Sequence, residues 1–134
     1  MSVGVTIVQG PLGPDPRSTG EPGPGAVLTF EGVVRPDEDD TPISALDYDA
    51  YLPMAETMLV ELAQDMVESH GLMAMEVEHS VGRVAVGETS FRLRVVSEHR
   101  AEGLAAAHEF ITKMKQDVPL FKVPVELPAQ VESR

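Results

Sequence analysis

The three lysines of this chain, Lys113, Lys115 and Lys122, fall within one ten-residue window. The run Ser97-Glu98-His99-Arg100 lies upstream of them, and Arg35 stands before an acidic segment. The chain as a whole carries a formal charge of −12. A lysine cluster in so acidic a chain marks a local cationic site, because a basic pocket in an acidic surface focuses field on small anions. Such groups can bind an anion or stabilise charge that develops during a reaction. A lysine of lowered pKa can also act as acid, base or nucleophile.

Each candidate also has a plainer reading. His99-Arg100 follows a strand pattern and precedes a helix pattern. Free N–H groups at a helix start, a guanidinium fork and an imidazole form an anion site, but the same segment can be a cap with two exposed side chains. Lys115 borders an apolar stripe, where a lysine can snorkel; partial burial beside other cations would make it reactive. Lys122 follows Pro119, and a turn there would fold it back near Lys115. Lys113 points to the opposite side of the helix and reads as solvated. Arg35 ends a buried strand and could pair with the acidic residues 37–40.

Other chemistries are excluded. The chain has no cysteine, so disulfides, thiolate nucleophiles, persulfide relays and Cys-ligated metals are out. His70, His79 and His108 are scattered without zinc-site spacing, and no G-x-S-x-G, P-loop or G-x-G-x-x-G occurs. We expect no metal and no resident cofactor. The negative charge argues against nucleic acid and anionic membranes. No apolar run is long enough to span a bilayer and the N-terminus lacks a secretory pattern, so a soluble, cytoplasmic protein is expected.

The elements that must position these residues follow from hydrophobic period. Alternating or β-branched segments predict strands at 3–9, 26–34, 43–51, 73–86 (one strand or two), 90–97 and 121–127. Paired apolar residues from Met54/Ala55 to Met66/Val67 predict a helix over 53–70, with Pro53 in its first turn and Gly71 as C-cap. A second helix is predicted over 101–118, its buried stripe Leu104, Ala107, Ile111, Met114 and Val118, ended by Pro119. Segment 36–42 reads as an acidic loop. One domain over 1–134 is expected, with a flexible Pro/Gly-rich loop at 10–25 and a frayed tail after about 127. Two helices on a mixed or antiparallel sheet make an α+β fold.

Five stretches, in order, carry a family resemblance. They are Gly25-Ala26-Val27-Leu28-Thr29-Phe30-Glu31-Gly32-Val33-Val34-Arg35; Leu46-Asp47-Tyr48-Asp49-Ala50-Tyr51 leading into Met54-Ala55-Glu56; and His79-Ser80-Val81-Gly82-Arg83-Val84 with Val86-Gly87-Glu88. Ser97-Glu98-His99-Arg100 and the run from Lys113-Met114-Lys115 through Pro119-Leu120-Phe121-Lys122 complete the set. The chain resembles the large, catalytic subunit of molybdopterin synthase, the MoaE family, with its α/β-hammerhead type of α+β fold.

The resemblance implies an activity: sulfur transfer to cyclic pyranopterin monophosphate, making the molybdopterin dithiolene. The donor would be the C-terminal thiocarboxylate of a small ubiquitin-like subunit, MoaD-like, and the assembly a homodimer that becomes a heterotetramer with that subunit. It also implies roles. Lys115 matches the catalytic lysine and Lys122 a second pocket lysine. Arg35, His99 and Arg100 match substrate-binding residues, the last two reaching across the dimer. The chain departs from the family pattern in its short Pro/Gly segment between the first two strands, in Pro36 after Arg35 and in Phe121 where Trp is common. It also has no basic residue beyond Lys122 except Arg134. A non-enzymatic module of the same fold, docking a ubiquitin-like partner or a phosphorylated pterin, is the alternative; an unrelated phosphate-ester enzyme is a third.

Overall fold

Alternating and β-branched segments give six strands, the acidic segment gives a short seventh, and the two 3.6-period segments give two helices. The computed structural model describes residues 2–14 and 23–128. The centre of the Pro/Gly-rich loop, the end of the tail and Arg134 lie outside the described residues. In chain order the elements are β1 (Ser2–Gln9), β2 (Ala26–Val33), β3 (Asp37–Glu38), β4 (Thr41–Ala50), α1 (Met54–His70), β5 (Ala74–Ala85), β6 (Thr89–Ser97), α2 (Arg100–Asp117) and β7 (Leu120–Glu126). The sheet runs β2-β6-β5-β4-β3, with β1 beside β5 and β7 beside β4. Among the described residues only the β1–β5 pairing is parallel. The α+β reading therefore holds.

Both helices cover one face of the sheet. Leu59, Met66, Phe110 and Met114 meet Met75, Val77, Leu93 and Val95 in a single cluster from which water is excluded. Each such side chain contributes roughly 1.5–3 kcal/mol by leaving water. Gly71 closes α1 with φ 67° and ψ 42°, a left-handed turn that glycine adopts without penalty. The 73–86 segment is one long strand. Its first half is flanked by β1 and β6, and its second half by β4.

Two local expectations change. Leu104 is 54% exposed, while Ala107, Met114 and Val118 are buried as their spacing predicts, Ile111 is partly buried, and Gly103, Ala106 and Phe110 complete the buried face of α2. The reason is steric: a Cβ on Gly103 would come within 2.8 Å of Ser97 Oγ, so this end of the helix packs on its smallest residues. The acidic loop at 36–42 is a tight hairpin in which Asp39 and Asp40 both take positive φ. The polar side chains of β6 are buried as well: Arg92 and Arg94 are 2% and 3% exposed. Arg92 donates to Glu31 at 2.7 Å, to Glu78 at 3.1 Å and to the Gly13 carbonyl at 2.6 Å, and Arg94 donates to Glu76 at 2.9 Å. Buried guanidinium groups require such compensation.

Gly25 joins the loop to β2 where the chain leaves β6. A Cβ there would overlap the backbone carbonyl oxygen of Glu98, which cannot swing aside as a side chain would. We expect Gly25→Ala to cost about 1–3 kcal/mol, read as a lower urea midpoint with an unchanged m-value. An unchanged midpoint would show that the two segments are free to separate.

Candidate active site

A cavity of about 690 Å³ opens where the C-terminal end of α2 overhangs the sheet. That size suits a small organic ligand. Arg35, Lys115 and Lys122 all line it. They arrive from three different elements, each for a local reason. The β2–β6 register slips between Gly32 and Val33, an irregularity that re-aims the chain just before Arg35. Lys115 occupies the last turn of α2, where a cation also faces the negative end of the helix dipole. Pro119 disfavours helical backbone at the residue before it, and Val118 is extended at φ −84° and ψ 132°. The chain then reverses into β7, whose register sets Lys122 opposite Tyr48 of β4. Directly opposed residues share one face of a sheet, so Lys122 and Tyr48 both point toward the cavity.

The charges around the cavity are unevenly matched. Lys122 Nζ lies 2.9 Å from Glu38 Oε2 of the small hairpin. Glu31, also at the cavity wall, is engaged by Arg92. Arg35 does not pair with the acidic run, and neither it nor Lys115 has an ion-pair or hydrogen-bond partner among the described residues. Lys115 is exposed rather than partly buried. Lys113 is the solvated bystander that its spacing predicts: it pairs with Glu109 at 2.8 Å, a contact that raises its own pKa and lowers that of Glu109.

His99 and Arg100 sit at the opposite end of α2. Fifteen residues separate Arg100 from Lys115, about 22 Å at 1.5 Å per residue. The His99 N–H donates to Glu102 Oε2 at 3.0 Å, and Ser97 Oγ–H donates to the His99 carbonyl at 2.7 Å. Both His99 and Arg100 are exposed. Within one chain they form a helix cap and do not reach the cavity that holds the lysines.

Sequence reasoning passed over the cavity's interior. His79, with Tyr48 and Ser90, lines it. His79 is only 6% exposed and stands edge-on to Tyr48, with centroids 5.5 Å apart. It shares the core face of β5 with Met75 and Val77, and the signal was there: an imidazole at a position where the alternation calls for an apolar side chain. Among the described residues no three His, Asp or Glu side chains gather into a metal-binding cluster.

Burial holds the His79 imidazole below its ordinary pKa, although its bond to the Ser80 carbonyl acts the other way. The unfolded chain, with an ordinary imidazole near 6.5, therefore takes up the proton first as pH falls. Stability from neutral His79 is complete above that value and is lost as pH drops toward the folded pKa. Between pH 7.5 and 5.5 the wild type should lose about 1 kcal/mol more than His79→Phe. Denaturation midpoints measured at both pH values test this, and parallel losses in the two proteins would refute it.

Comparison with known proteins converges on one family. The profile described as MoaE protein matches residues 11–117. A relative from Thermoplasma volcanium, the molybdopterin synthase catalytic subunit, is 36% identical over 101 residues, covering 75% of this chain and 74% of that protein. The chain spans less of some longer relatives, such as 61% of the protein from Coccidioides immitis. Among solved structures, molybdopterin synthase from Staphylococcus aureus superposes with a TM-score of 0.80 at 25% identity, covering 92% of each chain. A complex of subunits 1 and 2 of the molybdopterin-converting factor from Helicobacter pylori superposes at 0.71 and 26% identity, covering 90% of this chain and 83% of that one. By sequence and by fold, the chain belongs to the MoaE family.

Proposed function

We propose that this chain is the catalytic subunit of a molybdopterin synthase. It transfers sulfur from the thiocarboxylated C-terminus of a small ubiquitin-like subunit to cyclic pyranopterin monophosphate, making the dithiolene. The observation that carries this reading is the convergence of Arg35, Lys115 and Lys122 on one cavity. The substrate carries a phosphate and each sulfur transfer passes through charged intermediates. Cations fixed in advance stabilise such charge without reorganising. Lys115 is the catalytic group, able to move a proton or to help cleave the acyl link to the partner's tail. Lys122 is its companion, and Arg35 binds substrate.

Supply of sulfur by a partner agrees with a chain that has no cysteine. A two-subunit complex is the form in which the Helicobacter pylori relative was solved, which supports a small-subunit partner here. His99 and Arg100 complete the site of a second copy of this chain. Their distance from their own cavity supports that arrangement, as does exposed Leu104 one helical turn beyond Arg100. The resulting assembly is a homodimer that takes one small subunit at each end. It works in the cytoplasm. No helix among the described residues is long and apolar enough to cross a membrane.

Two measurements test this. Lys115→Ala should lower dithiolene formation at least about 100-fold while the protein stays folded and still binds the small subunit; near-normal turnover with thiocarboxylated partner would remove the catalytic role. Light scattering on the purified chain should give the mass of a dimer. A monomer at micromolar concentration would break the shared site.

A further inference from the structure

Every charged group that this chain offers from Arg35, Lys115 and Lys122 is a hydrogen-bond donor. The carboxylates that line the same cavity, Glu31, Asp37 and Glu38, accept hydrogen bonds but carry negative charge, and Glu31 and Glu38 already face Arg92 and Lys122. His79 adds an uncharged acceptor. Its Nδ1 lies 2.7 Å from the Ser80 carbonyl oxygen. A carbonyl can only accept, so Nδ1 carries the proton. Burial disfavours the charged form, which leaves Nε2 with a free lone pair.

Nε2 has no hydrogen-bond partner among the described residues, and the hydroxyls that line the same cavity are paired elsewhere. Tyr48 Oη is 3.0 Å from Ser90 Oγ, which in turn lies 3.5 Å from the Gly32 carbonyl. Yet among the described residues Ser80 Oγ is the side-chain polar atom that is both unpartnered and sealed from solvent. Nε2 is unpartnered but not sealed. The Nδ1 edge of the ring is tied to the backbone of its own strand, so the Nε2 edge faces away from that strand. The opening it meets there is the cavity that His79 lines. Tyr48 and Phe91 flank the ring at centroid distances of 5.5 and 6.0 Å and fix its orientation.

We propose that His79 contacts the substrate, its Nε2 accepting a hydrogen bond from an N–H or O–H donor on the ligand's heterocycle while Arg35, Lys115 and Lys122 hold the anionic part. The inference rests on the function proposed above, and it adds a specificity element. An analogue without a donor at that position leaves a buried acceptor unmatched, and such a mismatch is rejected more strongly than a missing apolar contact.

The test uses the full chain with cyclic pyranopterin monophosphate, and turnover with thiocarboxylated small subunit. In ¹⁵N-labelled wild type, the Nε2 resonance of His79 should report an unprotonated nitrogen in the free protein and move upfield when the precursor saturates it. His79→Phe keeps the ring and removes the acceptor, and it should raise KM about 10-fold or more with a smaller change in kcat. His79→Gln, whose amide oxygen can occupy the Nε2 position, should recover part of the loss. If wild type binds precursor while Nε2 does not move, the inference falls and the function stands, even where a variant fails to fold. Equal KM in folded His79→Phe has the same meaning. If wild type neither binds the precursor nor makes dithiolene, the function falls and the inference with it.

Discussion

The site depends on one reversal of the chain. α2 must stop at Asp117, and β7 must return antiparallel along β4. Pro119 forces the stop, because it cannot continue the helical ladder and it pushes Val118 into extended backbone. Three backbone hydrogen bonds fasten the turn: Val118 N–H to the Met114 carbonyl at 3.1 Å, Leu120 N–H to the Val118 carbonyl at 2.7 Å, and Tyr51 N–H to the Pro119 carbonyl at 3.1 Å. The last ties the turn to the segment between β4 and α1. Lys115 is then held by the last turn of a helix seated on the core, and Lys122 by a strand register. Neither lysine depends on a free loop for its position, which is what preorganised charge stabilisation requires.

Electrostatics build on that frame. The chain is acidic overall, yet two of the three acids that line the cavity are already engaged, Glu31 with buried Arg92 and Glu38 with Lys122; Asp37 is the third. Arg35 and Lys115 are left uncompensated among the described residues. Two free cations in a concave, partly apolar site attract a small anion, while the surrounding negative surface repels large polyanions. The contact between Glu38 and Lys122 is a partly exposed pair, which contributes little to stability. The hairpin that carries Glu38 thus bears on the site although it adds almost nothing to the core.

The face of the sheet away from the helices follows a different logic. β6 offers Phe91, Leu93 and Val95 to the helices, and Arg92 and Arg94 to the other side. Alternation alone predicts a wet polar face there. Instead the arginines lie beside acids on β2 and β5, and one of them also takes the Gly13 carbonyl from the start of the Pro/Gly-rich loop. This contact ties the beginning of that loop to the same strand that carries Phe91 under the cavity.

Period and composition were enough to determine most of the elements, the α+β class, the C-cap at Gly71 and the end of α2 before Pro119. Local chemistry, which is written in neighbouring residues, decides those features. The lysine cluster was equally legible, and the five ordered stretches carried the family. What the sequence could not decide were pairings between residues distant along the chain. That Glu38 meets Lys122 rather than Arg35 depended on a strand from the far end of the chain. The burial of Arg92 depended on acids 61 and 14 residues away. The exposure of Leu104 depended on Gly103 seating against Ser97. The place of His79 beneath the lysines, and the separation of His99 and Arg100 from them along a straight helix, also belong to the tertiary structure. Periodicity fixes which face a side chain takes, but only the packing of one element on another fixes what that face meets.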